Sequence, residues 1–304
     1  MEEREEEPHL LDIRSEEAFL ALHHRRAACI ADGEFADRLH ELPPPCNDKS
    51  AEPLVQMRLV FDDPDRADSV AQMLEERGYS IVERIAGEKL AERFASDDLV
   101  SGKSFFTLWG PNPALAKCWP LVLQHVPERR LCLDLAAGNG RDVVFCARAG
   151  FECVGIDYQK RQWSKIDALH ERALKELPDD ELARYGSVRS DHSDLEKGDV
   201  VLKVMEVMRG ELATLVIVSR YLHRPLNPLL HKLVAPGGLL LFHTFLEGAE
   251  LVGRKTPSKP RFLLRRDELR EVLEPHFDIL EDSVLLLPDQ RPTSCFLGRR
   301  KRDN

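Results

Sequence analysis

The sequence lacks any apolar run that approaches the roughly 18–20 residues of a membrane-spanning helix. Its acidic start, MEEREEEPHL, also lacks the basic and apolar regions of a secretory signal peptide. The seven cysteines are scattered, form no CxxC pair, and in several cases lie within apolar runs. Such cysteines are typical of small buried hydrophobes rather than of disulfides or metal sites. We therefore expect a cytoplasmic protein, with the nucleus as the alternative, that has neither a membrane association nor a metal.

An excess of positive charge is lacking as well, because 43 Lys and Arg stand against 53 Asp and Glu, a net charge of -10. A protein of this charge has no general attraction to nucleic acids or anionic membranes, although local basic patches could still bind such partners. The 304 residues suffice for one large domain or two ordinary ones, and the apolar fraction of 43% suffices for a packed core.

Strand-like and helix-like segments alternate in the first part of the chain, roughly residues 8–88. The predicted strands are HLLDIRS, AACIA, PLVQMRLVF and SIVERI, and the predicted helices are EEAFLALHH and DRADSVAQMLEERGY. A polar, helix-prone stretch, GEKLAERFASDDLVSGKS, follows them. We therefore predict a small α/β domain over residues 1–90, a linker over 91–104 and a second domain over 105–304.

The second part of the chain shows the same alternation with more strands. Helix-like segments lie between apolar strand-like segments, which indicates a mostly parallel, doubly wound α/β sheet. The predicted strands are RLCLDLA, ECVGID, GSVRSD, TLVIVSRY, GGLLLFHTF, FDILEDSVLL and TSCFLGRR. The predicted helices are GRDVVFCARAG, QKRQWSKIDALHERALKEL, NPLLHKLVA and RRDELREVLEPH.

The segment LCLDLAAGNGRD at residues 131–142 consists of the first of these strands and the glycine-rich turn that follows it. In a parallel sheet such a turn lies at the carboxyl edge, where ligands bind. The chain has no GxxxxGKS/T phosphate loop, and Val143 replaces the third glycine of a dinucleotide fingerprint. Asp157 ends the next strand, where a carboxylate suits the two hydroxyls of a ribose. The pattern favours adenosine without phosphates, and the alternative is a simple tight turn with Asp157 as a helix cap.

The motifs of the second domain resemble those of class I S-adenosylmethionine-dependent methyltransferases, in the group akin to the tellurite-resistance and thiopurine enzymes. They are FTLWGPNP, LDLAAGNGRD, SRYLHRPL, APGGLLLFHTF and FLLRRDEL, and they cover about residues 105–298. The resemblance implies a Rossmann-like, doubly wound sheet of seven strands, S-adenosylmethionine as cofactor and methyl transfer as activity. It does not specify a substrate, and the group's usual CGSG is replaced by AAGNG here.

The same resemblance implies which residues contact the cofactor. These predicted contacts are Asp134, Ala136, Gly138, Asn139, Gly140, Asp157, Tyr158, Asp191, His192 and Ser219. The turn at 134–140 would surround the methionine half, Asp157 would hold the ribose, and Asp191 would face the adenine amine. For Asp191 the alternative is an ordinary cap or turn residue.

Methyl transfer from a sulfonium is an in-line displacement, so the protein mainly supplies proximity, alignment and a dry site. A base is needed only where the acceptor must lose a proton. The candidate catalytic residues are Arg220 and Tyr221, at the end of the predicted fourth strand, and His223 just after it, and the further polar candidates are His192 and His243. Three aromatic residues before the first strand are predicted either to form a lid or to pack in the core: Phe105, Phe106 and Trp109.

The first domain resembles a rhodanese domain in LLDIRSEEAFLALHHRRAACI, ADRLHELPPP and MLEERGYSIVERI. Rhodanese chemistry needs a thiolate in the loop directly after the central strand, which is RLVF here. That loop, DDPDRADS, has no cysteine, and Asp62, Asp63 and Asp65 would repel a thiolate, while Cys46 lies before the strand. The resemblance therefore implies a rhodanese-like domain without sulfurtransferase activity, and the alternative is a divergent α/β packing domain.

Two basic clusters contrast with the acidic composition, GRKTPSKPRFLLRR at 253–266 and GRRKRDN at the end. The first follows a strand and would lie near the ligand edge, where it attracts an anionic substrate or RNA, unless both clusters are simply solvated. Phe262 is its sole aromatic residue, so base stacking is sparse. We expect a small-molecule acceptor, a soft S, Se or Te nucleophile or an anion. RNA or protein methylation and a non-catalytic cofactor-binding scaffold are the alternatives.

Overall fold

The computed structural model describes residues 7–31, 33–44, 55–253 and 257–302, which form two compact units. The first unit extends to Trp109 and includes Glu176–Pro178. The second comprises Gly110–Lys175 and continues from Asp179 onward. The division after Trp109 falls slightly beyond the predicted domain start at residue 105, and residues 91–104 belong to the first unit.

The first unit contains a four-stranded sheet and a separate pair of short strands. Its strands are β1 (His9–Asp12), β2 (His23–His24), β3 (Ala27–Cys29), β4 (Val55–Phe61), β5 (Tyr79–Ala86) and β6 (Leu99–Val100). Its helices are α1 (Glu16–Ala21), α2 (Phe35–Arg38), α3 (Pro64–Glu76) and α4 (Leu90–Arg93), with 3₁₀ turns at Leu39–Glu41, Gly87–Lys89 and Ser96–Asp98. The sheet order is β3-β1-β4-β5 with all neighbours parallel, and β2 pairs with β6 antiparallel.

The loop after β4 is closed by its own carboxylate. Asp63 caps α3, because its Oδ1 accepts hydrogen bonds from the backbone N of Asp65 at 3.0 Å and of Arg66 at 3.4 Å. The amides that begin this helix are therefore already satisfied by an acidic side chain. Cys29 at the end of β3 is partly buried, and burial raises the pKa of its thiol to about 12. Cys46 lies outside the described residues.

The second unit is built on a mixed, Rossmann-like sheet of seven strands with the order β12-β13-β11-β10-β7-β8-β9. These strands are β7 (Leu131–Leu135), β8 (Glu152–Ile156), β9 (Val188–Asp191), β10 (Ala213–Ser219), β11 (Val234–His243), β12 (Phe277–Leu286) and β13 (Pro292–Arg300). The strands β7 to β11 run parallel, and β13 is antiparallel to both β11 and β12. Each predicted strand of the second domain overlaps one of them.

The helices of the second unit connect these strands. They are α5 (Pro113–His125), α6 (Arg141–Arg148), α7 (Lys160–Glu176, its last residue in the first unit), α8 (Asp179–Leu182), α9 (Val200–Val207) and α10 (Glu268–Leu273). The predicted helices overlap α6, α7 and α10. The predicted helix NPLLHKLVA is instead a 3₁₀ helix over Asn227–Lys232, and another lies at Pro260–Phe262. The sequence did not predict α5, α8 or α9.

Two apolar clusters cover the two faces of this sheet. Leu131 and Leu133 of β7 belong to one cluster and Cys132 between them to the other, because side chains alternate along a strand. As predicted for small buried hydrophobes, the second cluster contains Cys118, Cys132, Cys146, Cys153 and Cys295. The strands β7 and β10 are neighbours, but the chain continues from β7 to β8 on one side of the pair and from β10 to β11 on the other. Their carboxyl ends form a topological switch point, where open α/β sheets bind ligands.

Candidate cofactor and acceptor site

The turn between β7 and α6 presents backbone rather than side chains at the switch point. Ala136, Gly138 and Gly140 have φ values of 59°, 55° and 78°, in the left-handed region. A Cβ on Gly140 would lie 3.0 Å from the Cα of Ile166, so α7 packs directly on this glycine. A Cβ on Gly138 would meet no described atom within 4 Å. The turn is therefore packed against α7 at Gly140, whereas at Gly138 its backbone faces space that no described atom fills.

Asp157 lies directly after β8 and joins the turn to the next helix. Its Oδ2 accepts a hydrogen bond from the Gly138 N at 3.0 Å, and its Oδ1 accepts one from the Gln159 N at 3.0 Å. The side chain thus contacts the glycine turn and also orders the chain just before α7. Each carboxylate oxygen has a second lone pair, so Asp157 retains capacity for two ligand hydroxyls.

Asp134 is a buried carboxylate in β7, with 1% of its surface exposed. Its Oδ1 has no hydrogen-bond partner among the described residues. Burial raises the pKa of Asp134 well above its usual range, and the charges of Asp142 and Asp157 raise it further. A buried polar atom without a partner is rare in proteins and marks a place where a ligand or water is expected.

Asp142 and Asn112 were missed by the sequence analysis, although they hold the turn in place. Asp142 Oδ1 accepts from the Asn112 N, and Asp142 Oδ2 accepts from the Asn112 Nδ2, both at 2.7 Å. The Asn112 side chain also caps α5, because its Oδ1 accepts from the Leu115 N at 2.9 Å. The first turn of α6 is therefore tied to the start of α5.

The predicted adenine contacts lie at the ends of β8 and β9. Asp191 Oδ1 accepts a hydrogen bond from the Ser193 N at 2.8 Å. Asp191 therefore acts as a turn residue, which is the alternative to an adenine contact that the sequence left open. The ring of His192 lies 6.0 Å from that of Trp163. Tyr158 is 60% exposed, whereas the buried Oδ1 of Asn139 has no partner within the described chain.

The three candidate catalytic residues after β10 separate into two groups. Arg220 has a φ of 53°, donates its backbone N–H to the His243 O at 2.6 Å, and places its guanidinium 5.7 Å from the centre of the Phe245 ring. Tyr221 instead stacks on His223 with ring centres 6.4 Å apart. Burial raises the pKa of Tyr221, whose buried hydroxyl has no partner among the residues described.

His243 ends β11 opposite Ser219 of β10 and is fully buried. Its Nδ1 lies 2.8 Å from the Ser294 carbonyl oxygen, which can only accept, so Nδ1 carries the hydrogen and Nε2 a lone pair. The described residues offer no partner to Nε2. Burial lowers the pKa of His243 to about 4, which makes it a neutral imidazole and a weak base.

A closed loop follows β11 and contains the first basic cluster. Its ends meet where the Leu264 N donates to the Phe245 O at 2.8 Å and the Glu247 N donates to the Leu264 O at 3.0 Å. Arg224 fastens this loop, because it binds the Glu268 carboxylate at 2.6 and 3.0 Å and donates to the carbonyl oxygens of residues 261 and 263 at 3.0 and 2.7 Å. Arg224, which lies in the motif SRYLHRPL, therefore positions this loop.

The basic side chains of the two clusters differ in whether they form ion pairs or hydrogen bonds with the rest of the described chain. Lys259 and Arg261 are exposed and form no ion pair within the described part of the chain, while Arg254 and Lys255 lie outside it. In the tail, Arg299 lies 3.4 Å from the Asp278 carboxylate and Arg300 donates to the Val234 O at 2.5 Å. Part of the tail is thus held in the fold.

The remaining predictions concern aromatic residues, metals and membranes. Phe105 and Trp109 are buried, and Phe106 is exposed. The described ranges contain no group of three or more His, Cys, Asp or Glu placed to hold a metal ion. No helix in these ranges combines the length and the apolar character required to cross a bilayer.

The sequence matches no protein-family model and no curated protein. Several solved structures are similar to part of it. TehB from Haemophilus influenzae is 15% identical, with 63% of this chain and 62% of that chain covered and a TM-score of 0.44. The match thus spans less than two thirds of TehB.

Two further structures contain a ligand. The magnesium protoporphyrin IX methyltransferase ChlM from Synechocystis PCC 6803, with bound SAM, is 15% identical over 61% of this chain and 76% of that one, with a TM-score of 0.42. The N-methyltransferase NodS from Bradyrhizobium japonicum WM9, with S-adenosyl-L-homocysteine, is 15% identical over 62% and 88%, with a TM-score of 0.41. At 15% identity and TM-scores of 0.41 to 0.44, these similarities do not assign a function to this chain.

Proposed function

We propose that this chain is a methyltransferase that uses S-adenosylmethionine. The observation that carries the proposal is the pairing at the switch point, where the open glycine turn after β7 meets Asp157 after β8 through the 3.0 Å bond from the Gly138 N. A carboxylate beside an open backbone surface suits the hydroxyls of an adenosine, whereas it would repel a phosphate.

Buried polar atoms at the same edge support the fit. Asp134 Oδ1 and Asn139 Oδ1 are acceptors without partners in the described chain, and the amino groups of the cofactor are donors. In the proposed complex the turn at 134–140 holds the methionine half and Asp157 holds the ribose hydroxyls. The remaining contacts, to the adenine and beside the reacting centre, are Tyr158, Asp191, His192 and Ser219. The bound cofactor supplies an already activated methyl group.

The residues beyond β10 and β11 would hold the acceptor. The raised pKa of Tyr221 keeps its phenol protonated, so it donates a hydrogen bond rather than removes a proton. His243 is a neutral, weak base, and Arg220 stays cationic. Together with His223 these groups orient an acceptor and exclude water, which suits a small soft or anionic nucleophile that needs no strong base.

The acceptor class is tested with cofactor labelled in its methyl group. The purified chain is incubated with thiols, metalloid oxyanions, small RNAs and cell extract, and label is followed into small-molecule and macromolecular fractions. We expect transfer to a small molecule. Label found only in RNA or protein would show that the acceptor is a macromolecule rather than a small molecule. Cofactor binding without any transfer would favour the non-catalytic scaffold.

RNA is the second candidate acceptor, because Lys259 and Arg261 of the closed loop form no ion pair with any described residue. The guanidinium of Arg261 stacks on Phe262 with its carbon 4.7 Å from the ring centre, beside the exposed Lys259. For a small anionic acceptor, neutralising both cations raises KM and leaves cofactor affinity unchanged, and added salt has the same effect. A loss of tRNA methylation instead, with no small-molecule activity in either protein, would favour RNA.

We also propose domain roles and a location. The region 105–304 is the methyltransferase domain and 1–90 is a rhodanese-like domain without sulfurtransferase activity. The self-capped start of α3 and the protonated Cys29 support the second assignment. A reducing, cytoplasmic location agrees with free, buried cysteines in the second unit.

A further inference from the structure

Two buried cysteines of the second unit lie side by side, one on a helix and one on a strand. Cys118 belongs to α5 and Cys295 to β13, and both are free thiols. Their Sγ atoms are 3.5 Å apart, within hydrogen-bond distance for sulfur, and 1% and 0% of their surfaces are exposed. Because the S–S bond of a disulfide is about 2.05 Å long, the sulfurs need to approach each other by only about 1.5 Å to form one.

Polar groups of the protein surface lie next to this pair. The side chain of Lys117 is 41% exposed, and its Nζ donates hydrogen bonds to Glu281 Oε1 and Ser283 Oγ, both at 2.7 Å. Lys117 directly precedes Cys118, and Ser283 is the strand partner of Cys295. An exposed ion pair contributes little to stability and opens at low cost. Its opening gives a small solute a short path to the two sulfurs.

The two thiols differ in how readily they ionise. The hydrogen bond from Cys118 lowers the pKa of the Cys295 thiol, and the charge of Lys117 lowers it further against the opposing effect of burial. The same hydrogen bond, together with burial, raises the pKa of Cys118. Since the thiolate is the nucleophilic form of a cysteine, Cys295 is the sulfur that attacks an oxidant, and Cys118 is the neighbour that reacts with the product.

We propose that Cys118 and Cys295 form a site of reversible oxidation, at which hydrogen peroxide joins them in a disulfide that fastens α5 to β13. The 3.5 Å separation of the two sulfurs carries the proposal, and the exposed ion pair of Lys117 with Glu281 supports it. In a reducing compartment such a disulfide is transient and serves as a redox sensor. The proposal concerns the packing of the second unit and does not rest on cofactor binding.

The oxidation takes place in two steps. The Cys295 thiolate attacks one oxygen of hydrogen peroxide, so that an S–O bond forms, the O–O bond breaks, and the released hydroxide takes up the thiol proton to become water. The Cys118 sulfur then attacks the sulfenic sulfur, so that the S–S bond forms and the S–O bond breaks. The hydroxyl group leaves with the Cys118 proton as a second water. Two thiols are thereby oxidised, and the peroxide is reduced to water.

The other free cysteines described in the second unit are competing sites of oxidation. Cys132, Cys146 and Cys153 are at most 1% exposed, and hydrogen bonds from the other two lower the pKa of Cys132 to about 6. Cys132 and Cys153 are strand partners in β7 and β8. The proposed pair has the surface ion pair of Lys117 beside it, which provides its path from solvent. The position of the disulfide therefore distinguishes the two sites.

The test treats the reduced, full-length chain with hydrogen peroxide, blocks the remaining thiols, and locates disulfides by mass spectrometry of peptides kept under non-reducing conditions. We expect a cross-link between the peptides of Cys118 and Cys295 as the main product, and dithiothreitol should restore both thiols. The cross-linked residues are 177 positions apart, so oxidation should raise the melting temperature by roughly 5–10 °C. Amide hydrogen exchange over α5 should also become slower.

Matched alanine variants separate this pair from the other cysteines. Cys118→Ala removes the proposed disulfide, whereas Cys153→Ala removes one buried thiol of the same apolar cluster and leaves the pair intact. Oxidation should raise the melting temperature of Cys153→Ala as it does in the unaltered chain, and it should not raise that of Cys118→Ala. Should Cys118→Ala not fold, Cys295→Ser takes its place with the same expected result.

Several results would overturn the proposal. They are a main disulfide that joins Cys132 to Cys146 or Cys153, a main disulfide that joins two chains, and oxidation that stops at sulfinic acid. Thiols that stay reduced at a peroxide concentration that oxidises free glutathione would overturn it as well. A link between Cys118 and Cys295 that leaves the melting temperature unchanged would show that the disulfide does not fasten α5.

Discussion

Asp157 makes the most specific prediction at the scale of single residues. Asp157→Ala removes the acceptor of the Gly138 N–H and the proposed partner of the ribose hydroxyls. We expect binding of S-adenosylhomocysteine to weaken by about 1–3 kcal/mol, the range for donors left without a charged acceptor. Calorimetry measures the affinity, and a melting curve checks that the fold survives. Unchanged affinity with an unchanged melting profile would argue against the ribose role.

His243 predicts a pH dependence of stability. Its pKa is lowered to about 4 in the folded chain, against the ordinary value of 6.5, so between these values the unfolded chain binds a proton that the folded chain does not. Stability therefore falls as the pH falls through this window, by at most about 3 kcal/mol from this residue. The buried carboxyls Asp134 and Asp142 have raised pKa values and act in the opposite direction.

His243→Asn isolates the histidine contribution, because its amide can still donate to the Ser294 O while it does not titrate. Urea unfolding at several pH values between 4 and 7 should show that the unaltered chain loses stability relative to the variant as the pH falls towards 4. Curves that run parallel would show that His243 titrates normally and that its burial has no such effect.

The sequence predicted the residues of the glycine turn but not the residues that hold this turn in place, Asn112 and Asp142. The glycines and Asp157 follow strand ends, so their positions at the sheet edge could be inferred locally. Asn112 and Asp142 are 30 residues apart and meet only because α5 and α6 pack side by side in the fold. A hydrogen bond over that separation leaves no local pattern, and the same holds for the four bonds of Arg224.

At the scale of elements, Arg224 should control the order of the closed loop after β11. Arg224→Lys keeps the charge but loses the planar fork that binds Glu268 and two carbonyl groups together. We expect amide hydrogen exchange over residues 257–264 to become several-fold faster, with affinity for S-adenosylhomocysteine nearly unchanged.

Arg270→Lys is a suitable control for that experiment. Arg270 also pairs with a carboxylate, Asp282 at 2.9 Å, but it lies on α10 outside the loop. Its replacement should leave exchange over 257–264 as it is. Equal acceleration in both variants would indicate general loosening of this region and would remove the special role of Arg224.

Two of the helices that the sequence missed, α9 and α5, have ambiguous sequence patterns. The helix α9 consists of VVLKVMEV, an apolar and β-branched run that is typical of a strand. The helix α5 contains Pro120, which normally interrupts a helix, and it follows the predicted link between the domains. In contrast, the segments of β7, β8 and β10 are apolar runs bounded by turn residues, and their alternation with helices was sufficient to predict a parallel sheet.

At the scale of the whole molecule, the first unit should have no sulfurtransferase activity. The loop after β4 has no thiol in residues 60–69, and the one cysteine of this unit among the described residues, Cys29, has a raised pKa. We expect no thiocyanate above background from thiosulfate and cyanide. Cys29→Ser and Cys46→Ser serve as controls, and activity that disappears in either variant would contradict the assignment.

The organisation into two α/β parts follows from the sequence, whereas the place of their division does not. Residues 91–109 contain short elements such as α4 and β6 that pack with the first unit. Their pairing is non-local, since β6 joins β2 about 75 residues earlier in the chain. A polar, helix-prone composition therefore predicted a linker where the structure has a packed segment.

The central claim is that the turn at Gly138 binds the adenosyl cofactor, and calorimetric titration with S-adenosylhomocysteine tests it most directly. Gly138→Val fills the open surface, and Gly210→Val is matched to it because both glycines have positive φ, 55° and 80°, and no described atom near a new Cβ. Both variants carry the same kind of backbone strain, but Gly210 follows α9, away from the carboxyl edge. The account predicts saturable binding at one site to the unaltered chain and to Gly210→Val, and loss of binding in Gly138→Val. Equal affinity in all three proteins, or no binding to the folded unaltered chain, would contradict it.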